Sequence, residues 1–506
     1  MPSNLIVLSH REPYAEIQTA DGIALQRKTN GVFATLDTVM KQQRGTWIAW
    51  RENEPGAAFT ERVRVPTDDD PNSYEVRRIP LSPEDARLFY YDFTSTALWP
   101  ILFSMPSRAR FSNAGWDAYQ RVNHAFADAT CEEAEPGALV WINDFHLMLV
   151  PRLLKERRPD LRVVLFLHTT FPPPDVFGVL PWRQQLLDGL LHLDLIGFHI
   201  PSYALNFANT AERFLDAQPG DVRETDLIAR GPAVAVPRYP TRVRYGDHTV
   251  RLGVYPVGVD GDFFSQLVQS DATIERSREI RASTSAQTII LAAERLDYVK
   301  GVLERLEAFE RYLVRHPEQR GKISFVQIAV PTRTGMEEFQ AVRRQVEEAV
   351  GRINGSHGQI DWRPVLHFYG SFDRPELTAF YRAADLIWVT PLRDGLNLVV
   401  KEYVAAKPDC DGMVILSEFA GVAAELSGPI LVNPYSPDDM DRALEEALAM
   451  SPADRKLRMQ QMRERVLTWN VTRWAESFLR DAQFRRGHVG SRSQPAAAIA
   501  AALDES

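Results

Sequence analysis

Short, almost continuously apolar runs rich in β-branched residues recur along this chain, and longer amphipathic stretches separate them. The runs are Leu5–His10, Thr46–Trp50, Leu139–Asn143, Val163–His168, Leu195–Ile200, Arg251–Pro256, Ile289–Glu294, Ile323–Val330, Val365–Tyr369, Leu386–Thr390, Val414–Ser417 and Ile430–Val432. Strands covered on both faces of a parallel sheet read this way, because neither face meets water. Between them run helical stripes: Val302, Leu306, Phe309 and Leu313 fall on one face, as do Phe339, Val342, Val346 and Val350. Such alternation specifies α/β architecture with doubly wound sheets.

With 506 residues the chain is long enough for two or three domains. The polar, Pro-containing stretch 237–248 divides it into nearly equal halves. The expected organisation is one Rossmann-like domain over 1–245 and a second over 246–470, facing a central cleft. A final helix and a disordered tail from Gly487 occupy 471–506. A composition of 45% hydrophobic and 25% charged residues excludes a mainly disordered, collagen-like or coiled-coil chain. The net charge of −9 argues against a nucleic-acid binder, so any bound anion needs a local basic pocket. Cys131 and Cys410 leave one disulfide open but make no disulfide framework and no zinc motif, which fits a reducing compartment. No uncharged apolar run approaches the ~20 residues of a membrane-spanning helix. The N-terminus shows no basic leader, and the chain reads as cytoplasmic with no membrane partner.

Charged and polar residues gather where the apolar runs end. Glu294-Arg295-Leu296-Asp297-Tyr298-Val299-Lys300-Gly301 closes one run and opens a helix. In open α/β sheets that edge binds ligands, and Arg295 and Lys300 can face one anion there, although two solvated charges at a helix start would read the same. Thr390–Glu402 is a second such station, with Asp394 and Glu402 able to accept hydrogen bonds from polyol hydroxyls. Asn143-Asp144 and His168-Thr169-Thr170 form the third and fourth, and Ser9-His10-Arg11 with Asn30-Gly31 the fifth. Trp47, Trp50, Tyr90 and Trp99 suit either a core or the edge of a cleft.

Taken in order, Glu294–Gly301, Val330–Arg333, Gly351–Gly355, Thr390–Glu402 and Ser417–Gly421 resemble the trehalose-6-phosphate synthase family of retaining glycosyltransferases, over residues 4 to 480. Departures in the N-terminal half, at Ser9-His10-Arg11, Asn30-Gly31, His168–Pro172 and Leu180–Arg183, are similar to the family's glucosylglycerol-phosphate branch. The resemblance implies a GT-B type fold, a nucleotide-activated glucose as donor (ADP-glucose in that branch) and a phosphorylated small-molecule acceptor, glycerol 3-phosphate. The alternative is trehalose-6-phosphate synthesis from UDP- or ADP-glucose and glucose 6-phosphate. A silent sugar-nucleotide sensor is disfavoured, because Arg295, Lys300, Asp394 and Glu402 are all present. It implies no cofactor and no bound metal; a homo-oligomer is compatible with the sequence but not specified by it.

The implied roles fall residue by residue. Gly31, Arg295, Lys300, Asp394, Gly395, Leu396, Asn397, Leu398, Val399 and Glu402 bind donor, with Glu402 on the ribose. Arg11, Trp47, Tyr90, Trp99, Asp144 and Arg333 bind acceptor. Asp144 and His168, with Arg295 and Lys300, stand at the reacting centre. Breaking a glycosyl–phosphate bond builds negative charge on the departing diphosphate, which fixed cations stabilise as it develops.

Overall fold

The computed structural model describes residues 3–19, 22–27, 36–37, 39–41, 45–53, 59–66, 73–225 and 233–483. All twelve apolar runs are strands, and they sort into two sheets. The first sheet has ten strands in the order Gln218–Glu224, Arg238–Tyr245, His248–Val254, Leu195–Phe198, Arg162–Phe166, Ala134–Asn143, Ser3–Leu8, Thr46–Glu52, Tyr74–Leu81, Arg62–Val65. Its interior is parallel, and antiparallel strands finish both edges. The second sheet is wholly parallel, in the order Val365–Tyr369, Ile323–Val330, Thr288–Arg295, Leu386–Val389, Met413–Ser417, Ile430–Val432.

In each sheet the strand order reverses beside one early strand. In the first it reverses at Ser3–Leu8, between Ala134–Asn143 and Thr46–Glu52. In the second it reverses between Thr288–Arg295 and Leu386–Val389. A crevice opens at the carboxyl ends of strands at such a switch point. Arg11 and Asp144 follow strands at the first switch, and Lys300 and Asp394 follow strands at the second.

Two expectations change. The stretch 237–248 is no linker: Arg238–Tyr245 is a strand, paired antiparallel to both its neighbours. It is polar because an edge of the sheet is wet on one side. The strand His248–Val254, expected to open the second half, pairs parallel with Leu195–Phe198 in the first sheet. The chain therefore passes between sheets at 255–260. It returns at 469–470, where the helix Pro452–Thr468 ends and Val471–Gln483 begins. That last helix packs Trp474 and Phe478 on Trp141 of the first sheet, with centroids 5.7 and 5.0 Å apart. The tail from Gly487 and the Asn30-Gly31 loop lie outside the described residues. Cys131 and Cys410 are free thiols. Among the described residues no helix is long and apolar enough to cross a membrane, and no group of three His, Cys, Asp or Glu stands ready for a metal ion.

Candidate active site

The second sheet contributes a cationic loop and a carboxylate loop that meet. The strand Thr288–Arg295 ends in a short turn, and Gly301, at φ 64°, lets the helix Val302–Arg315 start at once. This places Lys300 Nζ 2.7 Å from Asp394 Oδ2. Asn397 donates from Nδ2 to the same oxygen (3.0 Å), and its Oδ1 caps the helix Leu398–Ala405 by accepting from Val400 N–H. The loop thus offers one ammonium, one carboxylate, backbone groups and a helix start, a set suited to a diphosphate and a sugar. Leu396 is buried and presents only its backbone, whereas Leu398 and Val399 are half-exposed at the start of the helix. On that helix Glu402 accepts from Tyr381 O–H at 2.8 Å. Burial pushes the Glu402 carboxyl above its usual range, and the tyrosine hydrogen bond offsets part of the rise.

A second cationic cluster forms where the first sheet meets the second. Arg11 lies over Trp50 and Tyr90, 4.7 and 4.8 Å from their ring centres. Arg333 and Arg295 lie over Trp99 at 4.3 and 5.3 Å. Arg333 also donates to Ser95 Oγ at 2.9 Å and pairs with Asp297 at 3.4 Å. Burial alone would raise the Tyr90 phenol; the charges of Arg333, Arg11 and Arg295 outweigh it and hold the group below its ordinary value. A cluster of three guanidinium groups on aromatic faces is built for a dianionic phosphate.

Between these two sites lies a strained carboxylate. Asp144 sits at φ 68°, ψ −179° and accepts from His168 N–H at 3.2 Å. Burial pushes it up to about 7, and the N–H groups of Phe145, His168 and Thr169 and the charge of Arg295 offset part of the rise. His168 is held neutral by burial, with His199 adding to the effect. Its Nε2 faces Asn143 Oδ1 at 3.2 Å, while Nδ1 and the nearby Thr169 hydroxyl are buried without partners in the structure. Gly395 meets His168 across the two sheets, so closely that a Cβ there would stand 2.3 Å from the His168 carbonyl oxygen.

Gly31 lies outside the described residues, and among those described Trp47 is the one expected residue that stands apart from this site. It is 0% exposed and donates from its indole N–H to the Arg11 carbonyl at 3.2 Å, behind the site rather than in it. Trp50 occupies the place expected for it. The two are three positions apart on one strand and so face opposite sides, because strand side chains alternate. Ser95, Asn143 and His146 also belong to the site; Asn143 stands in the third polar station without an assigned role, and the sequence pattern does not single out Ser95 or His146. His146 stacks on His10 at 3.6 Å, and both rings run nearly parallel to Tyr90.

Two Rossmann-like domains whose strand ends face each other across a cleft lined with cationic side chains make up the fold of a GT-B type glycosyltransferase. The sequence profile of glycosyltransferase family 20 matches residues 3–484, and the chain belongs to that family, making it a retaining glycosyltransferase. It is 36% identical to a glucosylglycerol-phosphate synthase of Synechocystis, over 95% of this chain and 98% of that one. It is 38% identical to a trehalose-6-phosphate synthase of Mycolicibacterium vanbaalenii, over 94% and 95%. The crystal structure of a UDP-forming trehalose-phosphate synthase from Burkholderia xenovorans with glucose-6-phosphate superposes with a TM-score of 0.83 at 30% identity, covering 95% of this chain and all of that one.

Proposed function

We propose that the protein transfers glucose from ADP-glucose to glycerol 3-phosphate, giving glucosylglycerol phosphate, in the cytoplasm. Arg295 and Lys300 hold the donor diphosphate, Asp394 and the Gly395–Asn397 backbone hold the glucose, and Glu402 the ribose. Arg11, Arg333 and Tyr90, with Trp99 and Trp50 beside them, hold the acceptor phosphate. The C–O bond between glucose and diphosphate breaks while the acceptor hydroxyl attacks from the same face, and its proton passes to the departing phosphate oxygen. Asp144 and His168 orient the reacting hydroxyls, with the free His168 Nδ1 as an acceptor.

The observation that carries the choice of acceptor is the His10–His146 stack. Two imidazoles at 3.6 Å, set against Tyr90, fill volume beside the phosphate cluster. Burial and the charges of Arg333 and Arg11 hold His146 well below its usual value, so His146 is neutral there and adds no anion site of its own. In this reading the rings take up volume that a hexose phosphate would need and a small acceptor does not. The relatives named as glucosylglycerol-phosphate synthases support the same reading of the acceptor; adenine as the donor base rests on the resemblance of the motifs to that branch. Trehalose-phosphate synthesis is the second reading, since a trehalose-6-phosphate synthase is equally similar in sequence.

The test is kcat/KM for glycerol 3-phosphate and glucose 6-phosphate, with ADP-glucose and UDP-glucose each at saturation. The expected preference for glycerol 3-phosphate is on the order of 10³-fold, the size that a fixed polar site imposes on a misfit substrate. Equal or better use of glucose 6-phosphate would return the chain to trehalose-phosphate synthesis.

A further inference from the structure

The helix that carries Glu402 also carries a lysine that no substrate can reach. Lys401 and Glu425 are each 0% exposed in their side chains and lie 2.6 Å apart. The Lys401 ammonium also donates to the carbonyl of Val257 at 2.7 Å, and Arg465 approaches Glu425 at 3.3 Å. Val257 stands in the crossover 255–260, where the chain passes from the first sheet to the second. The returning crossover lies against it. Trp469 donates to the Pro256 carbonyl at 2.5 Å and Val471 N–H to the Val259 carbonyl at 3.2 Å. The backbones are in such contact that a Cβ on Gly258 would stand 2.2 Å from the Asn470 carbonyl carbon. These two strands of chain form the covalent joint between the domains.

A buried ion pair is a poor source of net stability, because desolvating both charges costs about what their attraction returns. Here the ammonium makes a second contact besides its ion pair, and that contact is with the joint. We propose that Lys401 is a positioning residue that fixes the donor helix Leu398–Ala405 to the interdomain crossover, so that domain movement carries the donor loop onto the acceptor site in one register. This rests on the donor-binding reading of the loop 394–397. Lys407, just beyond the same helix, provides the internal comparison. It too is buried, but it donates to the carbonyls of Ala384 (2.6 Å) and Arg382 (3.2 Å), all within the second domain.

The experiment compares Lys401→Met/Glu425→Gln with Lys407→Met and the unaltered protein. Thermal midpoint, affinity for ADP-glucose and UDP-glucose by calorimetry, and turnover with whichever phosphorylated acceptor is used are measured for each. The double substitution removes both buried charges, so its midpoint is expected near that of the unaltered protein. Donor affinity is expected to change less than threefold, while kcat falls on the order of 100-fold, the penalty of a misplaced but bound substrate. Lys407→Met is expected to lower the midpoint and leave kcat within threefold. Unaltered kcat in the double variant would overturn the proposal, as would a loss of donor affinity in step with kcat, which would mark local distortion of the loop. Failure of the unaltered protein to bind either nucleotide sugar would overturn the donor-site reading instead.

Discussion

At φ 68°, ψ −179° Asp144 occupies backbone space that side chains other than glycine rarely enter, and Asn397 (φ 84°) and Arg333 (φ 45°) also take positive φ. Such residues cost about 1–3 kcal/mol each and persist where the surrounding fold holds them for a task. Asp144 adds an electrostatic cost. Its carboxyl, near 3.8 when unfolded and about 7 in the fold, binds more protons folded than unfolded between those values. Stability is therefore lost as pH rises through this window and stays lower above it. Asp144→Asn removes that loss. Relative to the unaltered protein, the variant is expected to gain stability between pH 4 and 7, reaching roughly 2–4 kcal/mol above pH 8, while losing most of its turnover. Denaturant melts at pH 4.5 and 8.5 check it, and an equal gain at both would remove the carboxylate's ionisation as the cause. The Asp144 carboxyl at a strand end was legible from the sequence; its strained backbone was not, because nothing in Asn-Asp-Phe encodes the turn. Strand alternation likewise says that only one of Trp47 and Trp50 reaches the site, without saying which.

Among the elements, Arg87–Leu98 is a π-helix of twelve residues, far longer than the single-turn bulges in which such winding usually occurs. Its wider turn lets Ser95 reach back to the Tyr90 carbonyl at 2.7 Å while accepting from Arg333 Nε. One hydroxyl thus ties Tyr90 to an arginine from the other domain. Ser95→Ala is expected to lower kcat/KM for the phosphorylated acceptor by about tenfold, since a hydrogen bond to a charged group is worth about 1.5–3 kcal/mol, and to leave the donor KM within twofold. Steady-state kinetics with each substrate varied in turn decide it; a matching rise in donor KM would mean that the helix supports the whole cleft. Sequence patterning captured the strands that are apolar on both faces. It missed Arg238–Tyr245 and Gln218–Glu224, whose exposed edge residues carry arginines and glutamate instead. Winding by five residues per hydrogen bond has no periodic signature in Arg87–Leu98 that separates it from an ordinary helix.

For the molecule as a whole, the contacts across the cleft gather at the site. Tyr203 O–H donates to the Asp394 carbonyl at 3.0 Å, Arg108 lies over Tyr298 at 4.7 Å, and Gly395 abuts the His168 carbonyl. In the proposed reaction both domains are needed at once, because the residues assigned to the substrates come from both of them. Gly395→Ala places a methyl group where the His168 carbonyl stands and is expected to wedge the domains apart. Turnover should fall on the order of 100-fold. The unaltered protein is expected to contract in radius of gyration with nucleotide sugar and acceptor, and the variant is not, as read by solution scattering. Full turnover would show that the domains need not meet at this point. The two-domain arrangement was legible in the sequence, but its boundary was not, because the crossover is set by which sheet the strand His248–Val254 joins, and its apolar pattern suits either.

That the last helix returns to the first sheet bears on how the molecule is made. A chain emerging from its N-terminus presents the strands around Trp141 long before Trp474 and Phe478 exist to cover them. The second domain is one contiguous block and can assemble as it appears, whereas the first waits for the final turns of the final helix. The older half is thus finished last, and during synthesis its open face is the part of the molecule most in need of protection from association with other chains.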